Sequence, residues 1–214
     1  MKGFLITFEG PDGGGKTVQL NLLADHLRRR GFVVRCTREP GGTPLGDRIR
    51  SLLLDPAHRE MDGRAEALLY MAARAQHVAE VIAPALARGE VVLSDRYADS
   101  TLVYQGAARR LDRQELAAIN AFAAGGVVPD LTILLEGDAA VLAGRVAGRG
   151  GADRIEQEAA AFHELVRRGF CELAAAEPER IRPVAAGGSV DEVHRQVVRA
   201  VEEFLHRRGH GQNQ

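Results

Sequence analysis

Five short apolar runs separated by helical stripes, with a glycine-rich turn directly after the first run, predict an α/β fold: a five-stranded parallel sheet flanked by helices on both faces. The runs are Phe4 to Phe8, Phe32 to Cys36, Val91 to Ser94, Leu131 to Leu135 and Ile181 to Val184. They are mostly unbroken rather than alternating, as expected of strands covered on both sides. Between them, Leu20, Leu23 and Leu27 share one face of a first helix that stops near Gly31. A long helix is expected from Ala65 to Ala87, with Leu68, Ala72, Ala75, Ala79, Ile82 and Leu86 along one face and a kink at Pro84. Ser189 and Glu192 form a capping box for the last helix, which carries Val190, Val193, Val197, Val201 and Phe204. Right-handed crossovers then place any ligand beyond the carboxyl ends of the strands.

At 214 residues and 45% hydrophobic content, the chain suits one domain, taken as residues 1–206 with a mobile lid at about 145–156 and a disordered tail at 207–214. The net charge of −1 gives no global attraction to nucleic acid or an anionic membrane, so phosphate affinity must be local. Lys2 and Lys16 are the only lysines, and arginine supplies the remaining fixed positive charge. Cys36 and Cys171 belong to no CxxC or CxxH pattern, and the apolar start is too short to span a membrane; a cytoplasmic setting is expected.

The turn after the first run, Gly10-Pro11-Asp12-Gly13-Gly14-Gly15-Lys16-Thr17, fits GxxxxGK[ST] and leads straight into a helix, the pattern of a P-loop NTPase fold. Glycines let backbone N–H groups converge on phosphate oxygens, Lys16 reaches the β- and γ-phosphates, and Thr17 is a ligand for Mg²⁺. A glycine-rich turn that binds nothing is the bland alternative, disfavoured by Lys16 and Thr17 standing in register. Absence of an NKxD motif argues against a GTPase, and the short chain argues against a motor ATPase, which leaves small-molecule kinases.

Asp95-Arg96-Tyr97 ends the third run and is followed by Ser100, Thr101, Tyr104 and Gln105. Here the sequence resembles the thymidylate kinase family. Its EGxDGxGK[ST] loop runs from Glu9 to Thr17, its TREPGGT segment from Thr37 to Thr43, its aromatic-xxx-Arg motif is Tyr70 and Arg74, its DRY stretch begins at Asp95, and its DRIE motif spans Asp153 to Glu156. The resemblance covers nearly the whole chain and implies transfer of the γ-phosphate of ATP to dTMP; the length of the apolar helix suggests a wall or the surface of a homodimer. The resemblance also implies Arg38, Arg50 and Arg96 around the acceptor phosphate, Asp12 near its sugar and phosphate, and Glu39 and Pro40 in the acceptor site. Asp95 is a candidate to hold Mg²⁺, with Thr17, or to orient neighbouring arginines.

Tyr70 and Arg74, spaced i,i+4, share a helix face that can present an aromatic plane and a donor to thymine; the resemblance implies that Thr101 and Gln105 help read the pyrimidine edge and that Tyr104 packs on the sugar. Lid arginines, Arg149 and Arg154, are expected to close over the transferring phosphate because Gly13 and Gly14 leave the P-loop without another cation. Without the family, Tyr70 and Tyr104 read as core aromatics, Arg74 as a solvated face and Asp95 with Arg96 as a structural pair. Departures from the pattern are Tyr70 for Phe, Val18 for a hydroxyl residue, Glu136 for Asp and Ala185 for a polar residue. A deoxynucleoside kinase and a non-catalytic nucleotide sensor are the competing functions.

Overall fold

The computed structural model describes residues 3–148 and 151–209. Five strands, β1 (Phe4–Glu9), β2 (Val34–Arg38), β3 (Val91–Asp95), β4 (Leu131–Glu136) and β5 (Ile181–Ala185), form one sheet in the order β2-β3-β1-β4-β5. All pairings are parallel, with Phe4 opposite Val91 and Ile6 opposite Leu131. Alternation along β1 divides the core. Phe4, Ile6 and Phe8 pack with α1 (Lys16–Arg29) and α9 (Val190–Arg207), through Leu20, Leu23 and Leu27 on one helix and Val193, Val197 and Val201 on the other. Leu5 faces the opposite layer, where Val78, Ile82 and Tyr97 cover it. Full burial of each such aliphatic side chain contributes about 1.5–3 kcal/mol, which makes these two stripes the main anchors of the sheet.

The first helix ends at Arg29 and is closed by Gly31, whose φ of 87° lets Gly31 N–H and Phe32 N–H donate back to the carbonyls of Arg28 and Leu27. That turn uses Phe32, so β2 starts at Val34 rather than at residue 32. Ser189 and Glu192 cap α9 reciprocally, as the sequence predicts, but Val190 is exposed. The last helix runs through Arg207, and Arg208 stacks over Phe204 and pairs with Asp130, so order continues past the expected start of the tail; residues 210–214 lie outside the described residues.

The expected long helix is broken into α3 (Gly63–His77), a π-helical turn over Val78–Ile82 and α4 (Ala83–Ala87). Pro84 lacks the N–H that would continue the α ladder, and the wider turn precedes it. Its buried face also differs from the apolar stripe: Leu68, Ala72, Ala75 and Ala79 are exposed, whereas Glu66, Ala67, Met71, Arg74 and His77 are buried. Paired polar side chains occupy the inward face, so hydrophobicity alone points the helix the wrong way. The 11-residue α2 (Pro44–Leu54), capped by Thr43, packs beside α3. The short α5 (Ala98–Thr101) continues into a second π-helical segment, Leu102–Ala108. Finally α6 (Arg113–Ala124), α7 (Ala139–Ala147) and α8 (Ala160–Ala176) complete the layers. No helix among the described residues is long and apolar enough to cross a membrane.

Candidate active site

The loop between β1 and α1 wraps a space at the carboxyl ends of the strands. Gly10 and Gly13 take φ of 126° and 80°, and a Cβ at either would lie 2.3 Å from the Leu135 carbonyl or 2.4 Å from that of Leu142, so only glycine fits. No side chain caps α1 and no acidic residue stands in its first turn, which leaves its N-terminal N–H groups and partial positive charge available to an anion. Lys16 Nζ donates to the carbonyls of Gly10 (3.1 Å) and Pro11 (2.8 Å) and stands 4.0 Å from Asp12. Burial, with repulsion from Arg96, brings the Lys16 ammonium down to about 8. The Thr17 hydroxyl donates to Asp95 at the end of β3.

Arg96 follows Asp95 with φ 68°, a left-handed conformation held by its N–H to the Phe8 carbonyl at 2.9 Å and by Ser94 Oγ donating to its own carbonyl at 2.7 Å. Its guanidinium reaches the Gly10 carbonyl (3.0 Å), Ser100 Oγ (3.0 Å), Asp12 Oδ1 (2.7 Å) and Tyr104 Oη (3.1 Å). Burial would raise the Asp12 carboxyl, but the charges of Arg96 and Lys16 hold it well below the usual carboxylate range. The structure adds a residue with no role in the sequence reading. Glu9, fully buried, accepts from the backbone N–H of Tyr97 (2.8 Å) and from Ser100 Oγ (2.5 Å), fixing the start of α5 beside Arg96. Burial and the Asp99 charge push its carboxyl up to about 7.

Behind Arg96 opens a cleft with about 540 Å³ of open space, which brings together Asp12, Glu39, Pro40, Arg50, Tyr70, Arg74, Arg96, Thr101, Tyr104 and Gln105. Arg74 is buried rather than solvated: it pairs with Glu39 (2.7 Å), donates to Asn120 (2.6 Å) and lies over the Tyr97 ring. His77 holds the other Glu39 oxygen at 3.0 Å. Arg50 donates to the Pro40 carbonyl at 3.0 Å, and burial, with Arg38 nearby, lowers its pKa. The Thr101 hydroxyl is buried in the cleft wall and has no hydrogen-bond partner among the described residues, a group left for a ligand. Arg38 stands outside the cleft, half-exposed and paired with Asp47 at 2.9 Å.

Of the two arginines assigned to the lid, one is described, and it is placed differently from the sequence expectation. Arg149 lies outside the described residues. Arg154 is buried, not poised over the P-loop: its Nη2 donates to Glu66 at 2.6 Å and its Nε to the Leu53 carbonyl at 2.7 Å. The physical reason is Glu66, a fully buried carboxylate on α3 that requires cationic partners. Arg154→Ala is therefore expected to destabilise the fold by about 3 kcal/mol, the lower end for breaking a buried pair because Arg109 still reaches Glu66. An unchanged urea midpoint would refute this. Among the described residues, Arg145 in α7 touches the P-loop, with Nη1 donating to Ala186 O (3.1 Å) and Gly13 O (3.4 Å). It stands at the start of the segment read from the sequence as the lid.

A family model described as thymidylate kinase matches residues 8–197. The thymidylate kinase of Deinococcus radiodurans is 51% identical over 209 residues, 98% of this chain and 99% of that protein. That of Pelotomaculum thermopropionicum is 52% identical over 206 residues, 96% of this chain and 95% of the relative. The crystal structure of a thymidylate kinase from Ehrlichia chaffeensis superposes with a TM-score of 0.76 at 31% identity, covering 94% of this chain and 99% of that one. The cradle after β1, the arginine-lined cleft beside it and these matches over almost the entire length lead to one assignment: the chain belongs to the thymidylate kinase family.

Proposed function

We propose that the chain transfers the γ-phosphate of ATP to dTMP, giving dTDP and ADP for dTTP synthesis. The observation that carries this reading is Arg96, whose guanidinium joins the P-loop at Gly10 and Asp12 to the wall of the acceptor cleft at Tyr104. A phosphate monoester can meet a triphosphate only where fixed cations offset their repulsion, and transfer then depends on alignment and charge, with no covalent enzyme intermediate. The P-loop N–H groups and Lys16 bind the donor, while Arg96 and Arg50 bind the acceptor phosphate. Arg74 donates to the base carbonyl, Tyr70 stacks on the ring, and Tyr104 borders the sugar.

Thr17 and Asp95 supply only oxygen donors, in contact with each other beside the donor site, which suits a hard cation completed by phosphate and water. When bound there, Mg²⁺ would neutralise charge on the phosphates. Free Cys36 and Cys171 and the use of ATP favour a cytoplasmic setting. The exposed stripe of Leu68, Ala72, Ala75 and Ala79, with exposed Phe122 on α6, the helix packed against α3, is the surface for a second copy. Ala72→Arg is expected to yield monomers in analytical ultracentrifugation; retained dimers would move the interface elsewhere.

The reading is tested by ADP release with ATP and Mg²⁺ against dTMP, dUMP, dCMP, dGMP, AMP and thymidine. Turnover on dTMP, with weak turnover on dUMP, is expected. Turnover on thymidine instead would indicate a nucleoside kinase, for which a clamp of arginines has no use, and silence on every acceptor would indicate a nucleotide sensor.

A further inference from the structure

Three side chains converge on Glu66, two of them, Gln105 and Arg109, from the π-helical segment and its end, and Arg154 from the segment before α8. Gln105 Nε2 donates to its Oε1 at 2.8 Å, Arg109 donates from Nε at 3.2 Å and Nη2 at 3.1 Å, and Arg154 Nη2 donates to Oε2 at 2.6 Å. Burial would raise the Glu66 carboxyl, but these donors lower it below its ordinary value, so it is ionised and accepts only. A carboxylate that accepts only dictates which end of a neighbouring amide must face it. Gln105 therefore turns its NH₂ to Glu66, and its carbonyl oxygen takes no hydrogen bond among the described residues while the side chain lines the acceptor cleft. Without Glu66 the same amide would present either end.

We propose that Glu66 is a specificity-determining positioning residue: by fixing the Gln105 amide it offers the base a carbonyl acceptor, selecting pyrimidines that carry N3–H and rejecting those with an N3 lone pair. This rests on the reading of the cleft as a dTMP site. Thymine and uracil present O4 as acceptor and N3–H as donor; cytosine presents the reverse pair, N4–H₂ and N3. Arg74 is a donor of fixed polarity, and Gln105, once anchored, is an acceptor of fixed polarity. Thr101, whose hydroxyl either donates or accepts, cannot make that distinction. Cytosine thus meets donor against donor and acceptor against acceptor, whereas thymine satisfies both, and a site left with unpaired buried polar groups discriminates strongly.

The test compares kcat/KM for dTMP and dCMP in the unmodified chain, Glu66→Gln and Gln105→Leu. In Glu66→Gln two amides can pair in either sense, so the dTMP to dCMP ratio is expected to fall about ten-fold or more while KM for ATP stays within about two-fold. Gln105→Leu is expected to lose the ratio as well. A ratio kept in Glu66→Gln but lost in Gln105→Leu overturns the role of Glu66 and leaves the base reading standing; a ratio kept in both overturns it by removing Gln105 from recognition. An unmodified chain that uses dCMP as readily as dTMP would instead be a failure of the functional reading, and the inference would fall with it. Should Glu66→Gln fail to fold, the amide is read by NMR in the unmodified chain, its signals identified by their loss in Gln105→Leu. On adding dTMP the Gln105 carbonyl carbon should shift and the NH₂ signals stay nearly fixed, and the opposite pattern overturns the proposal.

Discussion

Lys16→Met is expected to lower kcat about a thousand-fold, the scale of removing a positioned charge from a transferring phosphoryl group. Methionine nearly matches the length of the lysine stem, so the packing of α1 against the sheet survives and the lost element is the ammonium held by Gly10 O and Pro11 O. The same group gives a pH signature. Its folded pKa of about 8 lies below the ordinary lysine value of 10.5, because burial and Arg96 disfavour its charge. As pH rises through 8 the free enzyme loses that charge, so kcat/KM for ATP is expected to fall on the alkaline side with a midpoint near 8. For stability the sign is opposite: between about 8 and 10.5 the unfolded chain holds the proton that the folded chain has released, so the contribution of this lysine to stability grows with pH. A loss of rate above pH 8 without a matching loss of melting temperature therefore assigns the limb to chemistry. Residual activity in Lys16→Met within about ten-fold of the unmodified chain would remove Lys16 from the reaction.

The sheet and the phosphate cradle were legible in the sequence because both are local. A strand covered on two faces is an unbroken apolar run, and the P-loop is a contiguous string that needs no partner to be read. The inward face of α3 was not legible, because Glu66, Arg74 and His77 are buried there as paired charges and polar groups, and a hydrophobic pattern counts them as solvent-facing. Most of the cleft residues were found through motif resemblance; what the motifs hid was who holds them. Glu9 anchors Ser100 and Tyr97 across a separation of about ninety residues, Glu66 anchors Gln105 and Arg154, and Glu39 joins Arg74 to His77. Such contacts depend on the β2-β3-β1-β4-β5 order, which brings the ends of distant segments to one edge of the sheet. Arg154 shows the same cause in reverse: an arginine in a glycine-bordered segment reads as a mobile cation until the buried carboxylate that claims it is known.

Arg96→Gly is expected to lower kcat/KM for dTMP by at least about a thousand-fold, comparable to removing an arginine that stabilises transferring phosphate. Glycine is the informative choice here, because a residue at φ 68° is strained for any other side chain and natural for glycine. Backbone misfit is thereby removed as an explanation, and the loss falls on the guanidinium. Arg96→Lys should not rescue, since a single ammonium cannot serve the Gly10 carbonyl, Ser100, Asp12 and Tyr104 together as the planar fork does. KM for ATP should change little, because Lys16 and the P-loop N–H groups remain. A second consequence separates a charge at the reaction centre from a structural pair with Asp12. Arg96 is among the groups that depress Lys16, so its removal should let the ammonium recover and move the alkaline limb above 8. Near-normal turnover of dTMP in Arg96→Gly with a shifted alkaline limb would mean that the guanidinium only tunes Lys16. A large loss together with that shift would place it in both tasks, binding the acceptor phosphate while setting the charge balance of the donor site.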